Sequence, residues 1–196
     1  MINFTDMTGL ASSATAMALA ALLLPGVARM PKSGLALLVS TVALASIIPL
    51  AGLPAAAYVR GVIGDLSITS LVLLMLAILR PLFGWRSSAS KAGFTLQILI
   101  TIAALGLYPL ALGLGYFDPY RLGYGNLWFL SVLLVVALAA CFRGLPVVAL
   151  CIALAVLAWD IGWYESNNLW DYLLDPLLSI YAVSAVMRHG VQTLLK

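Results

Sequence analysis

Asp160, Asp171 and Asp175 stand in one stretch, Trp159-Asp160-Ile161-Gly162-Trp163-Tyr164-Glu165-Ser166-Asn167-Asn168-Leu169-Trp170-Asp171-Tyr172-Leu173-Leu174-Asp175-Pro176, which mixes carboxylates, amides and aromatic rings. Carboxylates, amides and aromatic faces together suit a polyol, an amine or a hard cation. If the stretch is helical, Asp160, Trp163, Tyr164 and Asn167 share one face at i, i+3, i+4, i+7 spacing, and Asp171, Asp175 and Ser179 share another. Pro176 either kinks the last apolar run or begins a half-helix capped by Asp175.

Two further segments carry charge. In Tyr58-Val59-Arg60-Gly61-Val62-Ile63-Gly64-Asp65-Leu66-Ser67-Ile68-Thr69, Arg60 can reach an interface by snorkelling, whereas Asp65 is short and needs a partner, Arg60 or Arg121. Gly61 and Gly64 would let another backbone approach there. In Tyr116-Phe117-Asp118-Pro119-Tyr120-Arg121-Leu122-Gly123-Tyr124-Gly125-Asn126, Asp-Pro and two glycines make a turn whose tyrosines suit headgroup depth. Asp118 and Arg121 complete the candidate ligand-binding set. The two arginines leave a phosphorylated headgroup open as a ligand.

Other chemistry is excluded by residue type. The chain has one histidine, His189, so bis-histidine haem is out, and without a His or Cys cluster there is no zinc site of the usual kind. No other cofactor is implied, and no metal is assigned. Cys141 and Cys151 read as buried thiols in helices at the reducing side. Lys32, Lys91 and Lys196 fall in loops or at the terminus, which leaves no buried lysine for a retinal Schiff base. His189 is expected across the membrane from Ser67 and Ser166, so neither serine has a base. Glycine pairs such as Leu122-Gly123-Tyr124-Gly125 lack the strand-to-helix context of a nucleotide fold. The chain therefore leans away from catalysis, with a carboxylate acid-base pair as the one enzymatic reading left.

Positioning these residues falls to apolar helices. Hydrophobic residues make up 64% of the chain, charged residues 9%, and the mean hydropathy is +1.11. Soluble domains carry about 25% charged residues, so an integral membrane protein is expected. Apolar runs near the ~20 residues that cross a hydrocarbon core give about seven spans: Leu10–Ala28, Gly34–Leu53, Val62–Trp85, Ala92–Gly115, Leu127–Phe142, Leu145–Tyr164 and Leu169–Arg188. The expected fold is all-α, a polytopic transmembrane helix bundle forming a single domain over residues 1–196. The fifth run, sixteen residues, reaches only about 24 Å, which calls for bilayer thinning, a re-entrant path or a shifted boundary. Small residues between Ala11 and Ala21 suit close helix packing.

Charge sorting orients the bundle. Arg29, Lys32, Arg80, Arg86, Lys91, Arg143, Arg188 and Lys196 belong on the cytoplasmic side by the positive-inside rule. Arg60, Arg121 and all seven acids, Asp6 and Glu165 included, then fall outside, with the N-terminus out and the C-terminus in. Met1–Gly9 lacks the positive region of a secretory signal, so the first span is expected to stay. The expected function is a protein of the cell inner membrane that binds or transports a small polar or cationic ligand in an outward-facing acidic, aromatic-lined pocket. The alternatives are a non-catalytic membrane subunit of an envelope, lipid or glycan assembly, and a membrane enzyme using paired carboxylates. Membrane lipids and other membrane subunits are the expected partners, and nucleic acid is not.

Overall fold

The computed structural model describes residues 4–50, 52–84 and 90–195. The chain is mostly helical: α1 (Phe4–Leu22), α2 (Lys32–Ile47), α3 (Ala55–Ile63), α4 (Ile68–Phe83), α5 (Ser90–Ala111), α6 (Leu127–Phe142), α7 (Pro146–Asp160), α8 (Leu169–Leu173) and α9 (Pro176–Leu194). A two-residue antiparallel strand pair, β1 (Pro49–Leu50) and β2 (Leu53–Pro54), turns the chain between α2 and α3. Short 3-10 turns lie at Val27–Arg29 and Pro119–Gly123. Arg86 and Lys196 lie outside the described residues, as does the expected end of the third span at Trp85.

Two compact units divide the chain. The first comprises Met1–Leu66, Ser70–Ser87 and Trp163–Glu165. Here α1 packs on α2 and α3. It does so through small side chains, burying Gly9, Ser12, Ser13, Ala14 and Ala18, which lets neighbouring backbones come close. Pro25 and Gly26 follow its end, and Gly26 takes φ 87°, a left-handed value that costs glycine little. The first helix thus starts and stops about six residues earlier than the Leu10–Ala28 run suggests.

The second unit comprises Ser67–Thr69, Ser88–Gly162 and Ser166–Lys196. In it α5 packs on α9, α6 on α7, and α7 on α8. α6 keeps the expected bounds, because Asn126 caps it by accepting from the Trp128 and Phe129 amides and Gly144 (φ 68°) ends it. Two expected helices are broken. The third span does not run from Val62: α3 ends at Ile63, residues 64–67 are non-helical and α4 starts at Ile68. The seventh stops at Leu173, passes through extended Leu174 and Asp175, and resumes as α9.

One helix among the described residues, Gly93–Ala111 within α5, is long and apolar enough to cross a membrane by length and composition. Four more, α2, α4, α6 and α7, are apolar but shorter. α6 leaves Trp128, Leu134, Val135, Leu138 and Phe142 exposed, and α7 leaves Leu150, Leu154 and Leu157. Cys151 is buried as expected, but Cys141 is exposed, because it lies on the outward side of α6.

Candidate functional site

In the first unit the charged residues gather on Arg60. Gly64 (φ 75°) ends α3 with its amide on the Arg60 carbonyl, and this turn brings Asp65 back onto the arginine. Arg60 Nε donates to Asp65 Oδ1 at 2.6 Å and Nη2 donates to Oδ2 at 3.0 Å, a two-pronged pair. Nη1 donates to Asp6 Oδ1 of α1 at 3.1 Å. The expected pairing of Asp65 is therefore made by Arg60, five residues away rather than across two long helices. The Asp65 hydrogen bonds hold the Arg60 guanidinium even more firmly charged than usual. A Cβ on Gly9 would overlap Arg60 Nε and Asp65 Oδ1, so glycine there is what lets the pair lie against α1. Gly61 and Gly64, the expected points of close approach, have open space around them.

Trp163 and Tyr164 belong to this unit as well. The Tyr164 hydroxyl donates to the Leu66 carbonyl at 2.7 Å, Thr8 Oγ1 donates to the Trp163 carbonyl at 2.7 Å, and the Trp163 ring meets Phe4 edge-on at 5.5 Å. The helical face expected for Asp160, Trp163, Tyr164 and Asn167 is not formed. α7 ends at Asp160 because Gly162 turns left-handed (φ 65°), and the loop is held when Trp159 Nε1 donates to the Asn167 carbonyl at 2.8 Å.

The second unit builds a denser network around Asp171. Its carboxylate accepts from the Tyr120 hydroxyl at 2.9 and 3.1 Å and from Ser166 Oγ at 2.5 Å. Asn168, fully buried, caps α8 by accepting from the Trp170 amide, while its Nδ2 donates to the Tyr120 carbonyl at 2.8 Å and its amide donates to Ser166 Oγ. Trp170 Nε1 donates to the Pro119 carbonyl and the Tyr172 hydroxyl to the Ser166 carbonyl, both at 2.9 Å. Asp118 starts the 3-10 turn by accepting from the Tyr120 amide. Gly123 sits where a Cβ would overlap Asn168 Oδ1. Removal from water, and then the hydrogen bond to Asp171, raise the Tyr120 phenol well above its ordinary range.

Asp175, 4% exposed, caps α9: Oδ1 accepts from the Leu178 amide at 2.8 Å, and Oδ2 accepts from the Ser67 amide at 3.0 Å and from Ser67 Oγ at 2.8 Å. The half-helix started by Pro176 is thus the one of the two expected geometries that forms. Because α8 ends at Leu173, Asp171, Asp175 and Ser179 do not lie on one helical face; Ser179 instead donates to the Asp175 carbonyl.

The remaining candidates face outward. Asp160, Asn167 and Arg121 are exposed, and neither Asp160 nor Arg121 makes an ion pair among the described residues. No group of three His, Cys, Asp or Glu among the described residues is placed to hold a metal. Sequence reasoning left Asp6, Ser67, Tyr120, Ser166, Asn168 and Trp170 out of the binding set. Asn168, a capping residue ahead of an apolar run, carried a readable signal, and Ser166 lies only five residues from Asp171; Asp6, Ser67, Tyr120 and Trp170 gain their side-chain partners through tertiary approach. No family model matches the chain, and no curated protein or solved structure matches it either.

Proposed function

We propose that the chain is a non-catalytic, polytopic membrane subunit that uses its loop-and-short-helix segments as a preformed external platform for other proteins of an envelope, lipid or glycan assembly. The observation that carries this reading is that the acceptor oxygens of Asp171 and Asp175 and the guanidinium of Arg60 are turned onto partners inside the fold. Groups so engaged hold a surface rigid; a ligand would have to displace them. What is left outward is exposed Tyr116, Phe117, Tyr124 and Trp128 with Arg121 and Asp160, a mixed aromatic and charged surface of the kind enriched at protein interfaces.

Membrane residence in this proposal rests on the mean hydropathy, the exposed leucines and valines of α6 and α7, and the α5 segment. With seven spans, the charge pattern puts residues 29–33 and 143–145 in the cytoplasm and residues 116–126 and 165–170 outside. Cysteines at Leu145 and Tyr124 test this with an impermeant thiol reagent: intact cells label the second and not the first, and the reverse pattern rejects the orientation. For the platform, gentle detergent extraction is expected to give a complex heavier than the 20.8 kDa chain. Arg121→Glu with Asp160→Lys should release the partner without changing thermal stability. A chain that travels alone overturns the reading.

A second reading, binding of a small cation or amine, is favoured by Asp160 alone. Its exposed carboxylate sits at the C-terminal, electronegative end of α7, where a cation is the stabilising complement. Titration of the detergent-solubilised protein with alkylamines separates the two, since only this reading expects saturable binding lost in Asp160→Asn.

A further inference from the structure

We infer that the α6–α7 hairpin fits a locally thin bilayer and that this chain selects short-chain lipids around it. The inference rests on the membrane reading above and adds the class of lipid. The two helices pack on each other and have sixteen and fifteen residues, so their lengths are about 24 and 22 Å at 1.5 Å per residue. A typical hydrocarbon core is about 30 Å thick, and helix tilt only shortens the span further.

The ends of the hairpin are fixed by chemistry. Asn126 caps α6 beside exposed Trp128, a ring that favours the headgroup boundary. Arg143 and Gly144 close the turn between the helices, and Gly144 is left-handed, so neither helix extends through it. At the far end of α7, exposed Asp160 is too short to snorkel and Gly162 stops the helix. Between these pins the outward side chains are apolar apart from Ser131 and Cys141 on α6: Val132, Leu134, Val135, Leu138 and Phe142 there, and Leu150, Leu154 and Leu157 on α7. α5 of the same unit has 22 residues, about 33 Å, so within this unit the thin zone belongs to the hairpin; α2 and α4, sixteen residues each, are as short as α6. The shortness anticipated for the fifth run is not a boundary error, because its ends are capped where the sequence put them.

The test uses the full chain in vesicles of monounsaturated phosphatidylcholines with acyl chains of fourteen to twenty-two carbons. Competition between a brominated short-chain and a brominated long-chain lipid, read by quenching of Trp128 and Trp159 in a chain whose other tryptophans are replaced by phenylalanine, is expected to show about a threefold preference for the short chains. Thermal stability of the native chain should peak in the same lipids. Inserting one apolar turn into both α6 and α7 should move both optima to longer chains. A stability optimum at eighteen carbons or more, or equal quenching by both lipids, overturns the inference and leaves the membrane reading standing. Failure of the protein to float with vesicles of any chain length removes both.

Discussion

Two corners of the molecule do the same job in different ways. Each ends a short helix, runs through a few non-helical residues that include an aspartate, and starts a longer helix: α3, Gly64–Ser67 and α4 in one, α8, Leu174–Asp175 and α9 in the other. At the first, Asp65 is neutralised by a guanidinium, and the side chains of Arg60, Asp65 and Asp6 are 21, 28 and 38% exposed. At the second, Asp175 is buried and meets two backbone amides and a hydroxyl, with the start of α9 supplying its positive dipole end. Desolvating a long cation as well as an anion is costly, whereas amides at a helix start are already fixed and in place. Ion pairing serves where solvent still reaches, and dipoles serve where it does not.

The largest way to break this contrast is Asp175→Ala. It uncaps α9 and removes the two hydrogen bonds that Ser67 donates to the carboxylate, with an expected loss of about 2–4 kcal/mol in detergent unfolding. Asp175→Asn keeps an acceptor and should lose less than half of that. An alanine variant as stable as the native chain would mean that the cap does not hold the corner.

The glycines beneath each network come next. Gly123→Ala drives a Cβ into Asn168, whose side chain is fixed at both ends, so about 1–3 kcal/mol should be lost. Gly9→Ala meets the Arg60–Asp65 pair, whose partly exposed side chains can shift toward solvent, and should cost less. The order of the two melting temperatures checks the claim that the dipole network is the stiffer one.

A smaller effect comes from the ion pair itself. A double-mutant cycle with Arg60→Ala and Asp65→Ala should give a coupling of about 1 kcal/mol, the scale of a partly exposed pair, and it should shrink in high salt. The Asp175→Ala loss should not respond to salt. Equal salt sensitivity at both corners would erase the distinction.

The smallest effect is seen in alkali. Tyr120 has a folded pKa raised above its ordinary value of 10.0, so its contribution is complete below pH 10 and is lost as pH rises from there toward the raised value. A phenol absorbance titration should lose a late-titrating component in Tyr120→Phe, and the stability of the native chain should fall above pH 10.

Legibility in the sequence followed the range of the interaction. α6 was readable to its ends because its cap and its stop are both local. Asp175 before Pro176 announced a helix start, and Arg60 could find Asp65 across a five-residue turn. Asp6 looked like a tail residue because its partner is 54 positions away. The polar segment after α7 was misread as helical because i, i+3, i+4 spacing persists through Gly162, whose left-handed backbone ends the periodicity. Ser67 has the same difficulty in a stronger form, since nothing near it in the chain hints at Asp175.

That last bond spans 108 positions, and it sets an order of events during synthesis. A chain made from its N-terminus presents the amide and hydroxyl of Ser67 long before residue 175 exists, so Ser67 must wait for the start of the last helix to be delivered. A nascent chain cut short before Asp175 would lack both of these bonds, however well its earlier helices had formed. The final aspartate therefore acts as a completion signal for Ser67, which is held by it only once the last helix has begun.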